Sequence, residues 1–148
     1  MFGLSVRSVM KTKILAAPPQ TTVAQAARLM AKRNVGAILV VEEGRLLGIF
    51  TERDAVYRVI AQRRDPAKTG LAEVMTPDPR TVSPEDSFGF ALLLMHENRF
   101  RHTPVLEDGK PVGIVSARNA LDPDLEEFSS EASRREHLRR KLVAARPS

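Results

Sequence analysis

A shift of 65 residues lays this sequence on itself without a gap from Val9 to Asn119. Val9-Met10 falls on Val74-Met75, Pro19 on Pro84, Ala26 on Ala91 and Leu29-Met30 on Leu94-Met95. Val40 then meets Val105, Glu42 meets Glu107, Gly44 meets Gly109, Gly48-Ile49 meets Gly113-Ile114 and Arg53 meets Arg118. A duplication of this period constrains the fold strongly, because a unit so small cannot enclose a core alone and must pack against its copy. The pairing predicts a pseudo-two-fold arrangement with a cleft between the copies.

A length of 148 residues suits one compact domain or two intimately packed halves, and 43% hydrophobic residues is ordinary for a globular chain. With no cysteine there is no disulfide framework, no thiol nucleophile and no thiolate metal site. The N-terminus lacks an apolar run followed by a small-residue cleavage site, and Ala37–Val41 is far too short to cross a bilayer. The expectation is a soluble, cytoplasmic protein with no membrane partner. The net charge of +5 sits in the tail, where residues 129–148 carry six Arg and Lys against two acids. The 17 bases and 16 acids before them leave a near-neutral body, which argues against a basic nucleic-acid-binding surface there.

Within the first copy, Thr22-Val23-Ala24-Gln25 reads as a capping box. Val23, Ala26, Ala27 and Met30 follow as one apolar helical stripe, repeated by Phe88, Ala91, Leu92 and Met95. Gly36 is expected to end the first of these helices. Ala37–Val41 reads as a buried strand, and Glu43-Gly44 and Asp108-Gly109 read as hairpin turns. Short first strands are expected near Ile14–Ala16 and Arg80–Val82, and a helix after each hairpin from Glu52 and Ala117. The fold class is therefore α+β, two β-α-β-β-α repeats at 5–62 and 74–121 joined by a polar linker at 63–73. Asp122-Pro123, with early acids and late bases, predicts a charged C-terminal helix or tail over 122–148.

The most specific motif follows each hairpin. Gly48-Ile49-Phe50-Thr51-Glu52-Arg53-Asp54 and Gly113-Ile114-Val115-Ser116-Ala117-Arg118-Asn119 share a glycine, two apolar residues, a hydroxyl, two spacers and a carboxylate or its amide. A hydroxyl at a helix start, beside free N–H groups, suits phosphate. A carboxylate one turn later suits a ribose diol. Thr51 and Ser116 fit equally as N-caps supported by Asp54 and Asn119, so both uses stand at this point. Arg101 and His102 align with Gly36 and Ala37, and a guanidinium fork beside an imidazole at a strand start suits phosphate or diphosphate. His102 also fits a satisfied, partly buried imidazole, and Arg99 a solvated helix end.

Over about residues 5–121 the chain resembles a tandem pair of cystathionine-β-synthase (CBS) domains, the Bateman module. The resemblance rests on the doubled Gly-h-h-Thr/Ser-x-x-Asp/Asn pattern, the unit order and the Val-Met that opens each copy. It implies a regulatory module binding adenosine-bearing ligands between the copies, and a homodimer. Carried over, the first site would use Thr51 for phosphate and Asp54 for ribose, with Lys13, Ile14, Leu15, Ala16, Gly36, Ala37 and Ile38 enclosing adenine. The second would use Ser116 and Asn119, with Arg80, Arg99, Arg101, His102, Thr103 and Pro104, while Arg53 and Arg118 add charge. Because Asn119 keeps an acceptor but loses the charge, the Asp54 site is expected to bind ribose better.

The implied regulatory ligand is AMP, followed by NAD(H) and by ATP or ADP. Two cationic groups disfavour the sulfonium of S-adenosylmethionine. An enzyme is not expected: His96, His102 and His137 form no ligand spacing, and none of the eight glycines lies in a phosphate-cradling run. The output would pass to a target protein of unknown identity. Two other readings use the same features: a dimeric adaptor binding nucleic acid or a partner protein through the basic tail, and a structural dimer with vestigial clefts.

Overall fold

The computed structural model describes residues 3–121, 139 and 142; apart from Arg139 and Leu142, which are helical, the helix expected from Asp122 onward lies outside the described residues. The first copy runs α1 (Val6–Val9), β1 (Ala16–Ala17), α2 (Val23–Arg33), β2 (Ala37–Glu42) and β3 (Arg45–Thr51). A helical turn α3 (Glu52–Asp54) then continues into a π-helix, Ala55–Ile60. The second copy runs α4 (Leu71–Val74), β4 (Thr76–Pro77), α5 (Phe88–Asn98), β5 (His102–Glu107), β6 (Lys110–Ser116) and a 3₁₀ turn, Ala117–Leu121. Beginning inside the span expected as linker, α4 stands at the 65-residue offset from α1, so the second repeat starts earlier than residue 74.

Local chemistry explains most of these elements. The Thr22 capping box forms, with Gln25 N–H donating to Thr22 Oγ1 at 3.1 Å and Thr22 N–H to Gln25 Oε1 at 3.0 Å. Both hairpins turn through two left-handed residues, Glu43 and Gly44 (φ 52° and 77°) and Asp108 and Gly109 (φ 52° and 78°). Each hairpin carries an irregularity at the same place, Val40/Val41 and Val105/Leu106. The stripe of α5 is buried through Phe88, Ala91 and Met95, and that of α2 through Val23, Ala26 and Met30. Ala27 is exposed, so that side of α2 faces out of the core. Asn34, not Gly36, ends α2, adopting the left-handed conformation at φ 53°. Arg99 does the same for α5 at φ 58°.

Strands β1, β2, β3 and β4 form one sheet, with β1 parallel to β2 and the other pairs antiparallel. Hairpin β5–β6 forms the second, extended by single bridges from Val82 to Val105 and from Lys11 to Ile114. The β3–β4 pairing joins one copy to the next, and the Lys11–Ile114 bridge is its counterpart at the 65-residue offset.

The duplication is therefore closed by exchange. Val6 and Val9 of α1 pack with Val82, Phe88, Ala91, Met95, Val105 and Val115 of the second copy. Leu71 and Val74 of α4 pack with Val23, Ala26, Met30, Ile38, Val40, Phe50 and Val59 of the first. Matching backbone bonds hold the exchanged turns: Val6 N–H to Asp86 C=O at 2.7 Å and Leu71 N–H to Thr21 C=O at 2.8 Å. Arg7 adds an ion pair from α1 to Glu85 at 2.7 Å and another to Glu107. Each fully buried aliphatic or aromatic side chain contributes roughly 1.5–3 kcal/mol, so neither half-core is complete without the turn lent by its copy.

The exchange also explains the motif glycines. A Cβ on Gly48 would lie 2.5 Å from Met75 Sδ and 2.8 Å from Thr76 C=O. One on Gly113 would lie 2.9 Å from both Met10 Sδ and Lys11 C=O. The recurrent glycine and the recurrent Val-Met are thus two sides of one contact, in which the crossing segment lies on the strand. The halves meet where Ile114 packs against Ala37, Leu39 and Ile49.

Candidate functional site

The segment Lys11–Leu15 runs between the two sheets. Lys11 and Ile114 exchange backbone hydrogen bonds at 2.9 and 3.0 Å, and Leu15 C=O accepts from Leu39 N–H at 2.9 Å. This places the N-terminal segment of the first copy beside the post-hairpin turn of the second. Between them opens a cleft of about 1110 Å³, a volume suited to a nucleotide.

One wall is apolar and comes mainly from the first copy: Ile14, Leu15, Val35, Ala37 and Leu39, joined by Ile114. The other is polar, with Arg101 and His102 before and at the start of β5, and Ser116, Arg118 and Asn119 after β6. Among the described residues, Lys11, Lys13 and Arg33 bring the basic lining residues to five, against Glu52 as the one acidic residue. A cleft with that balance concentrates anions.

Sequence reasoning grouped Lys13–Ala16 and Gly36–Ile38 with Thr51 and Asp54. The structure brings Lys13, Ile14, Leu15, Gly36 and Ala37 against Arg101, His102, Ser116, Arg118 and Asn119 instead. The physical reason is the Lys11–Ile114 pairing, which ties the first copy's leading segment to the second copy's hairpin. Thr51, Arg53, Asp54, Ala16, Ile38, Arg80, Arg99, Thr103 and Pro104 do not line this cleft. Ile38 is fully buried in the first half-core and Thr103 is fully buried in β5. Pro104 is buried and Ala16 and Arg80 are exposed. Arg53 lies 5.1 Å over the Tyr57 ring.

Lys11, Thr12, Arg33 and Glu52 line the cleft without having been singled out in the sequence. Their only advance signal was charge or polarity near a motif. What selects them is the non-local pairing of the copies.

The two post-hairpin turns differ in what they leave free. Asp54 is buried; its Oδ2 accepts from Thr51 N–H at 2.9 Å and from Thr51 Oγ1 at 3.2 Å, while Oδ1 lies 3.5 Å from Arg58 Nε. Asp54 N–H returns a bond to Thr51 Oγ1 at 3.3 Å, completing a reciprocal cap. Asn119 also folds back, its Oδ1 accepting from Ser116 N–H at 2.8 Å and lying 3.4 Å from Ser116 Oγ. A backbone N–H needs an acceptor, which fixes the amide orientation. The oxygen expected to serve ribose is thus held by the cap, and the side-chain NH₂ is the group left to donate to a ligand.

His102 titrates below the ordinary imidazole value. Burial is the chief cause; Glu52 opposes it, and Arg118 and Arg101 reinforce it. The ring is therefore mostly neutral at pH 7, and a further negative charge beside it would favour its protonation.

Two exchanged α+β halves with a cationic cleft between them define a paired-repeat architecture. The chain belongs to the CBS domain family, whose model matches residues 6–61 and 71–124. It is 39% identical over 112 residues to the CBS domain-containing protein YhcV of Bacillus subtilis, covering 76% of this chain and 79% of that protein. To the mitochondrial CBS domain-containing protein CBSX3 of Arabidopsis thaliana it is 37% identical over 118 residues, spanning 57% of that longer protein. Among solved structures, a conserved protein of Pyrococcus horikoshii matches with TM-score 0.77 and 30% identity, over 82% of this chain and 92% of that one. A CBS domain protein of Pyrobaculum aerophilum, complexed with AMP, matches with TM-score 0.72 and 26% identity, over 78% and 89%. Among the described residues no helix is long and apolar enough to cross a membrane.

Proposed function

We propose that this chain is a non-catalytic regulatory module that binds AMP in the cleft between its copies, with NAD(H) and then ATP or ADP as the next ligands. The observation that carries the reading is the cleft itself, which joins the apolar residues Ile14, Leu15, Val35, Ala37 and Leu39 to basic residues drawn from both copies. Ile14, Leu15, Val35 and Ala37 offer a surface for a purine face. Arg101, Arg118 and His102 offer donors to phosphate, and a guanidinium fork matches phosphate oxygens bidentately. The Ser116 hydroxyl and the Asn119 NH₂ lie beside them. The AMP complex of the related Pyrobaculum aerophilum protein supports the nucleotide class.

Ligand in this cleft touches both copies, so it favours whichever relative setting of the halves fits it better. The shift is limited to the ligand's differential affinity for the two settings. The reading includes a homodimer and a protein target. Exposed Val56, Tyr57 and Ile60 on the π-helix support a protein-facing surface.

The test is a thermal-shift panel on the full chain with AMP, ADP, ATP, NAD⁺, NADH and S-adenosylmethionine. A ligand at about 100 times its Kd adds about 2.7 kcal/mol of stability. The reading expects AMP to raise the midpoint most. An unmoved midpoint with every nucleotide at millimolar concentration overturns it.

A further inference from the structure

The two copies bring charges of opposite sign into this cleft from different, non-equivalent positions. Gly36 and Arg101 are equivalent, as are Glu52 and Ala117. The same backbone bond joins each pair: Glu52 N–H to Gly36 C=O and Ala117 N–H to Arg101 C=O, both 3.0 Å. In the first copy the small residue precedes the strand and the large charged one follows the hairpin; in the second the order is reversed. The fit is close, since a Cβ on Gly36 would lie 3.0 Å from Glu52 Oε1 and 3.6 Å from His102 Cε1. Gly36 thereby leaves a slot through which Glu52, from the first copy's post-hairpin turn, reaches the cleft beside His102. Its carboxylate is the one acidic group among the described lining residues, and its field is felt at His102 together with those of Arg101 and Arg118.

We propose that Glu52 is the specificity-determining residue of this cleft, a fixed anion beside the phosphate-binding groups that limits how much ligand charge the site accepts. The proposal rests on the reading that the cleft binds a nucleotide. Unliganded, Glu52 offsets part of the charge of Arg101 and Arg118. A phosphate seated on those residues meets the Glu52 carboxylate, and each further phosphate adds to the repulsion. A compact monophosphate is thus favoured over a polyphosphate in a site whose five basic residues would otherwise draw the most highly charged ligand.

Isothermal titration of the full chain with adenosine, AMP, ADP, ATP and inorganic pyrophosphate, in wild type and Glu52→Gln, tests this at pH 8.0. The variant is expected to bind adenosine within twofold of wild type. It should bind AMP roughly fivefold more tightly and ATP more than roughly tenfold more tightly, as removal of one nearby like charge predicts. Glu52→Asp, which keeps the charge on a shorter stem, should fall between the two. Equal weakening of adenosine and AMP in Glu52→Gln would overturn the proposal, because it would make Glu52 an acceptor for the ribose diol. Unchanged affinities throughout would also overturn it. If no nucleotide binds either protein, the nucleotide reading falls, and pyrophosphate then decides: tighter binding to Glu52→Gln keeps the role of Glu52, and no difference removes it.

Discussion

The turns Thr51–Asp54 and Ser116–Asn119 share a sequence pattern, a backbone cap and a place after equivalent hairpins, yet the second lines the cleft along its whole length and the first sends only Glu52 into it. Asp54 spends its carboxylate on Thr51 and approaches Arg58 at 3.5 Å. Asn119 gives its oxygen to Ser116 and keeps an NH₂. Both copies of the motif form a helix cap, and that of the second copy also faces this cleft. The difference comes from the neighbours. Lys11–Leu15 is laid against the second turn by its pairing with Ile114, and Arg101 and His102 stand where the first copy has Gly36 and Ala37.

The sharpest way to break this comparison is to disturb the exchanged segments that set it up. Gly48→Ala forces a methyl against Met75 and the Thr76 carbonyl, where backbone cannot give way cheaply. A loss of about 3 kcal/mol or more is expected in denaturant unfolding, at the upper end of overpacking costs. Gly113→Ala meets its neighbours at 2.9 Å and should cost less. Equal, negligible costs would mean that the crossing segments are not held on the strands.

Asp54→Ala should cost about 1 kcal/mol, as loss of a helix cap does, and leave AMP affinity within twofold. Asn119→Ala should show a similar stability loss together with weaker AMP binding. Unfolding and titration on both variants separate cap from contact.

Proton linkage sharpens the difference further. The folded value of His102 lies below its ordinary one, so the unfolded chain binds more protons in that window. Stability is fully present above the ordinary imidazole value of about 6.5 and is lost as pH falls below it. His102→Gln should flatten that acid side of the profile in thermal melts from pH 8 to 5. A bound phosphate favours the imidazolium, so wild-type AMP affinity should rise as pH falls from 8 toward 6.5, and less so in His102→Gln.

The smallest expected effect concerns Thr103, equivalent to Ile38. Its Oγ1 is buried without a partner. Thr103→Val should stabilise the protein by about 1 kcal/mol, the scale of an unsatisfied buried hydroxyl, with AMP binding unchanged. Weaker AMP binding would assign the hydroxyl to the ligand.

Features governed by neighbours in sequence were legible in it. The Asp108-Gly109 turn, the Thr22–Gln25 box and the α5 stripe form as local chemistry requires, and the 65-residue offset carried the duplication itself. The end of α2 at Asn34 was hidden by Gly36, a residue that serves packing against Glu52 and His102 instead. The π-helix, with Ala61 N–H bonding Val56 C=O and Arg64 N–H bonding Val59 C=O, leaves no mark in residue spacing. Which half of one copy faces which half of the other was equally hidden. That choice depends on contacts such as Lys11–Ile114, and it reassigned Lys13–Leu15 and brought Glu52 into the cleft. Arg101 and His102 were found because the copies diverge there.

The central claim is that ligand sits on the Ser116–Asn119 side of the molecule. Calorimetric titration of AMP into wild type, Asp54→Ala and Arg101→Ala tests it most directly. The account predicts near-wild-type affinity for Asp54→Ala and at least a tenfold loss for Arg101→Ala, the size of a charge-assisted phosphate contact. Loss of binding in Asp54→Ala with Arg101→Ala unaffected would contradict it and move the site to the other turn.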